Sequence, residues 1–428
     1  MKGDGEMGNI IISGGKRLGG EITVQGSKNS SLPILAATVL VDGISVIHNC
    51  PSLSDVDAAV RILRHLGCKV KREKDTLTVD SRHISCCSIP EELMREMRSS
   101  IVFLGSILGR TGKAELTSPG GCDIGLRPID LHLSSLKTLG AEIDERHGYV
   151  SCTMERTKGA VISLSFPSVG ATENIILASA LSKGRTVIHN AAREPEINDL
   201  ARFLNKAGCR IRVGKEGTVV IDGVSKASSC EHRVMSDRIA ALTYMSAVGA
   251  AGGDVLLKDV DTSSFLTVLP IFEAAGCDLR NRDNTLRIRM KGRPKGIRNI
   301  RTMPYPGFPT DAQAPVMAML CLAEDTSVIV ENIFENRFKH VGELSRMGAE
   351  IKIEGRVAIV DGTENLYGAK VKCTDLRGGG ALIVAGLAAK GTTVISSIEH
   401  IDRGYEKIEE KLRKTGADII RTSNIQNL

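Results

Sequence analysis

The chain has 428 residues, of which 42% are apolar and 25% charged, and its formal net charge is +6. This composition is typical of a globular protein, and at roughly 100 to 200 residues per domain the length predicts two or three domains. No run of about 18 apolar residues occurs, and the N-terminal stretch MKGDGEMGNI lacks the apolar core of a signal peptide. We therefore expect a cytoplasmic protein without a membrane anchor.

The cysteine and charge patterns argue against further classes of protein. The 11 cysteines are scattered and form no CxxC pair, which argues against a disulfide framework, a zinc site or a redox motif. The 56 Lys and Arg residues face 50 Asp and Glu residues along the whole chain, with no basic tail and no basic patch rich in aromatics. Nucleic-acid binding is therefore disfavoured, whereas a small, strongly anionic substrate accounts for the mild positive excess.

A short phrase recurs six times along the chain and reveals internal repeats. It consists of an apolar or small residue, a glycine and then Cys or Ala, and the spacing of the glycines is about 70 residues. The six glycines are Gly67, Gly140, Gly208, Gly276, Gly348 and Gly416. Cys68, Cys209 and Cys277 take the position that alanine fills in the other three repeats, so we expect these thiols to be buried and unreactive.

The elements of the repeats can be predicted in chain order. Val56, Val60, Leu63 and Leu66 have the spacing of an amphipathic helix, which Gly67 closes as its C′ residue. The stretch ENIILASALSKG predicts an apolar helix, and the β-branched residues 186–188 after it predict a strand. Alternating isoleucines at 351 and 353 before Glu-Gly predict a hairpin. Each repeat is thus α-β-α-β-β, which indicates an α/β or α+β protein.

The repeats differ most in the loops that lead from a strand into the amphipathic helix. The second of these loops, residues 118–128 (SPGGCDIGLRP), is longer than three of the others by about four residues, and Cys122 lies in the added part. A thiol on a glycine-rich insertion beside Arg127 favours a chemical role. An incidental surface cysteine is the alternative.

Several charged residues at loop ends are further candidates. Arg127, Arg337, Arg377 and Arg403 could converge on a polyanion, because arginine binds phosphate and carboxylate bidentately, and Lys28 has a similar position. For any single one, a solvated surface position is an equally good interpretation. Asp311 lies between prolines ahead of a helix, and Glu194 and Glu196 flank Pro195; all three could be simple helix caps.

Eight stretches resemble one known family in sequence order across nearly the whole chain. They are GSKNSSLPILAA, MRSSI, SPGGCDIGLRPIDLH, FPSVGAT, AAREPEIND, FPTDAQA, FENRFKHVGELSRMGA and HIDRGYEKIEEKL. These stretches closely resemble the UDP-N-acetylglucosamine 1-carboxyvinyltransferases, the enolpyruvyl transferases of the first committed step of peptidoglycan synthesis. The cysteine loop followed by RPIDLH is the most specific of them.

The resemblance implies a fold. It is a two-domain, inside-out α/β barrel of six βαβαββ-type repeats, with three repeats around a pseudo-threefold axis in each domain, helices inside and sheets outside. The implied domains are residues 28–235, with the Cys122 loop, and residues 1–27 plus 236–428, with Asp311 and three arginines. Substrates would bind between the domains.

The resemblance also implies the reaction and its residues. The enolpyruvyl group of phosphoenolpyruvate passes to the 3′-hydroxyl of UDP-N-acetylglucosamine by addition and elimination, without metal or organic cofactor. Cys122 is implied as the acid and Asp311 as the base; Lys28, Arg127 and Arg403 as phosphate ligands; Arg337 and Arg377 as carboxylate ligands. The implied contacts of the nucleotide sugar are Asn29, Arg98, Arg127, Pro128, Ile129, Asp130, Leu131, Ser168, Val169, Gly170, Asp311 and Ile333.

Three alternatives rank below this hypothesis. The related 3-phosphoshikimate 1-carboxyvinyltransferase lacks the cysteine and the RPIDLH words. A catalytically silent paralogue that binds UDP-sugars is disfavoured because every implied catalytic residue is intact. RNA binding by the basic repeats ranks last. The oligomeric state is open.

Overall fold

The computed structural model describes residues 8–117, 129–146, 148–155 and 158–422. The chain forms two compact units. The described part of the terminal unit comprises residues 8–25 and 236–422, and that of the central unit lies within residues 26–235. The terminal unit is therefore built from both ends of the chain.

The described residues form strands that are mostly four to six residues long. They are β1 (Asn9–Ser13), β2 (Leu18–Thr23), β3 (Ile44–His48), β4 (Lys69–Glu73), β5 (Thr76–Asp80), β6 (Ser88–Ile89), β7 (Lys113–Thr117), β8 (Glu142–Arg146), β9 (Tyr149–Thr153), β10 (Val161–Ser163), β11 (Arg185–His189), β12 (Arg210–Val213), β13 (Val219–Asp222), β14 (Cys230–Arg233), β15 (Gly253–Lys258), β16 (Asp278–Arg282), β17 (Thr285–Met290), β18 (Ile300–Arg301), β19 (Ser327–Val330), β20 (Glu350–Glu354), β21 (Val357–Asp361), β22 (Lys370–Lys372), β23 (Thr392–Ser396) and β24 (Asp418–Thr422).

The helices alternate with these strands. They are α1 (Lys28–Ala37), α2 (Ser54–His65), α3 (Glu91–Glu96), α4 (Phe103–Thr111), α5 (Asp130–Thr138), α6 (Val169–Ser179), α7 (Pro195–Lys206), α8 (Arg238–Ala251), α9 (Leu269–Ala274), α10 (Thr310–Leu320), α11 (Val341–Arg346), α12 (Leu376–Ala388), α13 (Glu399–Asp402) and α14 (Ile408–Arg413). Short 3₁₀ helices occur at Thr38–Leu40, Arg98–Val102 and Thr262–Phe265.

The described strands form six four-stranded sheets of one design, which confirms the six repeats. In the sheet of β10, β11, β13 and β12, for example, β10 runs parallel to β11, and the β12–β13 hairpin adds antiparallel to β11. The βαβ part supplies the parallel pair because a helix crosses between its strands. The predicted α/β class and the predicted hairpin at Glu354 and Gly355 are confirmed, since β20 and β21 pair there.

Three sheets are completed by strands that are distant in sequence. In the central unit, β14 pairs with β3. In the terminal unit, β2 pairs with β15, and β1 lies between β23 and β24. Each unit thereby contains three complete sheets.

Apolar helices form the centre of each unit. In the terminal unit α8, α10 and α12 pack against one another and are buried along most of their lengths, and in the central unit α4 packs against α6 and α1. The second helix of a repeat is amphipathic: Val56, Val60 and Leu63 of α2 are buried as predicted, whereas Arg61 and Arg64 are exposed. Helices without a polar face fit only an interior position.

The six repeat glycines all close a helix in the left-handed region. Their φ angles lie between 87° and 101°, which a residue with a side chain adopts only with strain. The thiols that follow three of them, Cys68, Cys209 and Cys277, are buried, and burial raises the pKa of each to about 12. The prediction that these cysteines are unreactive packing residues therefore agrees with the structure.

Candidate functional site

In the terminal unit, the carboxylate of Asp311 lies between two arginines. The helix α10 begins after Pro309, which places Asp311 in its first turn. Nη2 of Arg337 donates to Oδ1 of Asp311 at 2.7 Å, and Nη2 of Arg377 donates to Oδ2 at 3.1 Å. Asp311 is therefore not the helix cap that the sequence left open, because Pro309 holds that position.

Arg377 is almost wholly buried at the start of α12. Asp375 caps this helix, and its Oδ1 accepts the backbone N–H groups of Arg377 and Gly378 at 2.9 and 3.1 Å. The guanidinium carbon of Arg377 lies 5.5 Å from the centre of the Tyr405 ring. Burial alone would lower the pKa of Arg377, but Asp311, Tyr405 and Asp237 together outweigh it and keep the pKa above its usual value. The Nε and Nη1 groups of Arg377 are buried without a hydrogen-bond partner among the described residues.

Two buried residues, Asp375 and His340, lie beside Arg337. Nη1 of Arg337 lies 3.9 Å from Oδ1 of Asp375. Burial would raise the pKa of Asp375, but Arg337 and the N–H of Gly378 lower it, so that this carboxylate is charged. His340 is fully buried, and the loss of solvation lowers its pKa to about 4, which leaves the ring neutral beside Arg337.

The remaining predicted residues of this unit lie on neighbouring loops. Arg403 follows α13, and the next residue, Gly404, packs so closely that a Cβ there would lie 2.7 Å from the Leu376 side chain. The Arg403 segment therefore lies against the start of α12. The backbone N–H of Ile333 donates to Oε1 of Glu331 at 2.9 Å, in the loop between β19 and α11. The terminal unit thus brings Asp311, Arg337 and Arg377 into direct contact.

In the central unit, Lys28 and Asn29 open α1. Nζ of Lys28 lies 3.1 Å from Oδ2 of Asp55 on α2, and the Asp55 side chain is only 2% exposed. The buried carboxylate holds the ammonium group at the helix start, where the resemblance implies a phosphate ligand.

Arg98, the start of α5 and the start of α6 meet around His132. Nδ1 of His132 lies 2.7 Å from Nδ2 of Asn174, and a Cβ on Gly170 would lie 2.8 Å from the His132 ring. Burial lowers the pKa of His132 to about 4, with a smaller lowering from the charge of Arg98. Ser168 caps α6 by accepting the N–H of Ala171 at 3.3 Å. Position 170 therefore has to be glycine for α6 to approach α5.

The predicted residues thus fall into groups within each unit. Ile129, Asp130 and Leu131 lie at the start of α5, and Val169 and Gly170 lie in the first turn of α6, whose N–H groups have no intrahelical acceptor. Cys122, Arg127 and Pro128 lie outside the described residues.

The sequence alone missed the residues that support the site: Asp55, Asp375, His340 and Tyr405. The stretch TDLRGGG contains Asp375, and DRGYE contains Tyr405. An Asp directly before a glycine-rich helix start is a typical N-cap, so the role of Asp375 as a cap could have been predicted. The other contacts join residues that are distant in the chain, so no local signal marks them.

The described residues contain no group of three or more His, Cys, Asp or Glu arranged to hold a metal ion. Within the same residues, no helix is long and apolar enough to cross a membrane.

Comparison with known proteins shows the family. Residues 12–412 match the family model of EPSP synthase (3-phosphoshikimate 1-carboxyvinyltransferase). The chain is 51% identical over 415 residues to UDP-N-acetylglucosamine 1-carboxyvinyltransferase 2 of Caldanaerobacter subterraneus subsp. tengcongensis, covering 97% of this chain and 100% of that protein. It is 47% identical to UDP-N-acetylglucosamine 1-carboxyvinyltransferase of Geotalea uraniireducens, covering 97% of this chain and 99% of the relative.

Solved structures share the fold. The enolpyruvyl transferase NikO from Streptomyces tendae superposes with a TM-score of 0.87 at 22% identity, over 97% of this chain and 99% of that one. EPSP synthase from Acinetobacter baumannii has a TM-score of 0.74 at 19% identity, over 97% and 100%. With relatives this similar over nearly their full lengths, the chain belongs to the UDP-N-acetylglucosamine 1-carboxyvinyltransferase family, within the wider EPSP synthase family.

Proposed function

We propose that the protein transfers the enolpyruvyl group of phosphoenolpyruvate to the 3′-hydroxyl of UDP-N-acetylglucosamine and releases phosphate, as the first committed step of peptidoglycan synthesis. The substrates are small anions dissolved in the cytoplasm, which accords with the mild basic excess of the chain.

The arrangement of Arg337 and Arg377 around Asp311 is the observation that carries the proposal. Arg337 and Arg377 are 4% and 2% exposed, and a pair of buried guanidinium groups fits a planar carboxylate. The Nε and Nη1 groups of Arg377 have no protein acceptor among the described residues, so they can donate to the oxygens of a ligand. The same arginines hold Asp311, which would act on the acceptor hydroxyl. The proposed carboxylate ligands, Arg337 and Arg377, are therefore in direct contact with the proposed base, Asp311.

The reaction needs one acid and one base. In the addition step, the 3′-oxygen of the sugar bonds to C2 of phosphoenolpyruvate, the hydroxyl proton passes to Asp311, and the Cys122 thiol gives a proton to C3. In the elimination step, C3 returns a proton to the Cys122 thiolate, and the bond between C2 and the phosphate oxygen breaks, so that phosphate leaves with the electron pair. We assign Lys28, Arg127 and Arg403 to the phosphate, and Arg337 and Arg377 to the carboxylate.

The central unit supplies the proposed contacts of the nucleotide sugar. Residues 127–131 and the first turn of α6, with Ser168, Val169 and Gly170, would hold the uridine diphosphate, because helix starts favour anions. Asn29 and Arg98, together with Ile333 of the terminal unit, would contact the sugar.

The test measures phosphate release from phosphoenolpyruvate with UDP-N-acetylglucosamine or shikimate 3-phosphate as the acceptor. We expect release with the nucleotide sugar alone. Release only with shikimate 3-phosphate would assign the protein to the shikimate reaction. Release with neither acceptor, by a protein that binds UDP-N-acetylglucosamine, would identify a silent paralogue.

A further inference from the structure

Gln25 makes two hydrogen bonds to the loop that follows α13, hereafter the Arg403 loop (residues 403–406). Its Nε2 donates to the carbonyl oxygen of Gly404 at 3.0 Å, and its Oε1 accepts the backbone N–H of Glu406 at 2.8 Å. The side chain is buried, with the residue only 4% exposed. One amide thus fixes the backbone on both sides of Tyr405.

Tyr405 connects this loop with Arg377. Its ring lies under the Arg377 guanidinium, and its hydroxyl lies 2.9 Å from Oγ1 of Thr243. Gly380 faces the hydroxyl so closely that a Cβ there would lie 2.6 Å from Oη. The backbone bonds of Gln25 and the side-chain contacts of Tyr405 therefore fix one short segment from two directions.

The chemistry of Gln25 suits this position better than that of its closest analogues. The loop presents one acceptor and one donor, and a glutamine amide supplies the matching donor and acceptor. A glutamate would lose the bond to Gly404, and an apolar side chain would leave both backbone groups buried without a partner. The carbonyl of Gln25 also accepts the N–H of Asp237 at 2.8 Å, so this residue is itself held in place.

We propose that Gln25 is a positioning residue for anion binding: it holds the Arg403 loop so that Arg403 and the Tyr405-supported Arg377 keep the spacing that the phosphate and carboxylate of phosphoenolpyruvate require. This inference rests on the proposed function, because it takes Arg403 and Arg377 as anion ligands. Gln25 itself does not touch the substrate.

The experiment compares the full-length wild type with Gln25→Met, which keeps the length of the side chain and removes both hydrogen bonds. The readouts are KM for each substrate and the rise in melting temperature on adding inorganic phosphate. We expect KM for phosphoenolpyruvate to rise about tenfold, the stabilisation by phosphate to fall, and KM for UDP-N-acetylglucosamine to stay within about twofold. If Gln25→Met does not fold, Gln25→Asn, which shortens the amide, should give a smaller shift in the same direction.

Asn205 provides a matched control in the central unit. Its side-chain amide makes the same pair of bonds, to the carbonyl and the N–H of Ile211, at 2.8 Å each. We expect Asn205→Ala to lower the melting temperature without changing either KM or the phosphate effect. Unchanged phosphoenolpyruvate binding in folded Gln25 variants, or an equal rise of both KM values, would overturn the inference.

The two proposals can fail separately. A wild type that is stabilised by phosphate but releases none from phosphoenolpyruvate would contradict the proposed function, and the phosphate effect would still test Gln25. A wild type that phosphate does not stabilise would overturn the role of Gln25 as well.

Discussion

Asp311 illustrates how one carboxylate can be held by the same groups that are proposed to bind the substrate. Its two oxygens accept bonds from Arg337 and Arg377, which fixes the orientation of the carboxylate. In the proposed reaction the arginines turn part of their donors to the carboxylate of phosphoenolpyruvate, and Asp311 then becomes available to the hydroxyl of the sugar. Binding of phosphoenolpyruvate would therefore release Asp311 from the two arginines.

Cys122 carries the first prediction at the scale of single residues. We expect Cys122→Ser to abolish turnover and Cys122→Asp to keep part of it, because a carboxylic acid can donate a proton to C3 and a hydroxyl at its ordinary pKa cannot. Turnover of phosphoenolpyruvate is the measurement. Full activity of the serine variant would contradict the assignment of Cys122 as the acid.

Alkylation provides an independent measurement of the same thiol. Fosfomycin, an epoxide that resembles phosphoenolpyruvate, should label Cys122 and spare Cys68, Cys209 and Cys277, whose pKa values burial raises to about 12. Mass spectrometry of tryptic peptides reads the label. Equal labelling of all four cysteines would show that the loop thiol has no special reactivity.

Glu173 on α6 carries a prediction about pH. Burial, reinforced by the charges of Glu196 and Glu194, raises its pKa well above 4.5, so the folded protein keeps this carboxyl protonated where the unfolded chain releases the proton. The folded state thus binds more protons above about pH 4.5, and the free energy of unfolding falls as the pH rises in that range. Gln mimics the protonated acid. The stability gained by Glu173→Gln should therefore be small near pH 4 and grow towards pH 8.

Urea unfolding at several pH values measures this difference. A gain that is constant with pH, or that shrinks as the pH rises, would show that Glu173 is charged in the folded protein. The neutral buried histidines His132 and His340 also make stability depend on pH, because their pKa values lie near 4 and the penalty for keeping them uncharged grows as the pH falls below about 6.5. Comparing the variant with the wild type at each pH removes their contribution.

At the scale of the elements, the repeats could be read from the sequence because each depends on a local rule. A glycine after an amphipathic helix marks a left-handed C′ position, and all six glycines have a positive φ. The packing around the site follows no local rule. Asp375 meets Arg337 only after two repeats have packed together, and Tyr405 meets Arg377 only after a loop of the same repeat has folded back onto α12, so these partners could not be predicted. The sequence therefore located the repeats and the charged candidates but not the groups that hold them.

Two glycines at helix ends should respond in opposite ways to replacement by alanine. At Gly208 a Cβ meets nothing within 4 Å, but φ is 98°, so Gly208→Ala should destabilise the protein by about 1 kcal/mol through backbone strain alone. At Gly342, in the first turn of α11, a Cβ also meets nothing within 4 Å and φ is not positive. Gly342→Ala should stabilise by about 0.5 kcal/mol, because the unfolded chain loses freedom. Urea midpoints measure both changes, and a shift of the same sign in both variants would contradict the argument.

At the scale of the whole molecule, the order of strands in the sheets determines which pieces of the chain can fold alone. All the described strands of the central unit, including β14, lie within residues 26–235. The terminal unit instead takes β1 and β2 from residues 8–25, and β1 lies in the interior of its sheet, bonded on both sides. Loss of this interior strand removes two ladders and, with the strand, the side chains of Ile10 and Ile12, which are 0% exposed and belong to the apolar core.

We therefore predict that a fragment of residues 26–235 folds cooperatively, whereas a fragment of residues 236–422 does not fold until a peptide of residues 8–25 is added. The peptide restores the ladders of β1 with β23 and β24 and the ladder of β2 with β15. Its effect should be lost when Ile10 and Ile12 are both replaced by Asp, because two charges would then be buried without partners. Thermal unfolding followed by circular dichroism measures cooperativity for each fragment. Cooperative unfolding of residues 236–422 without the peptide would contradict this prediction. It would show that the apolar helices α8, α10 and α12 form a stable unit with two of their three sheets incomplete, and that β1 and β2 add stability to a fold that forms without them.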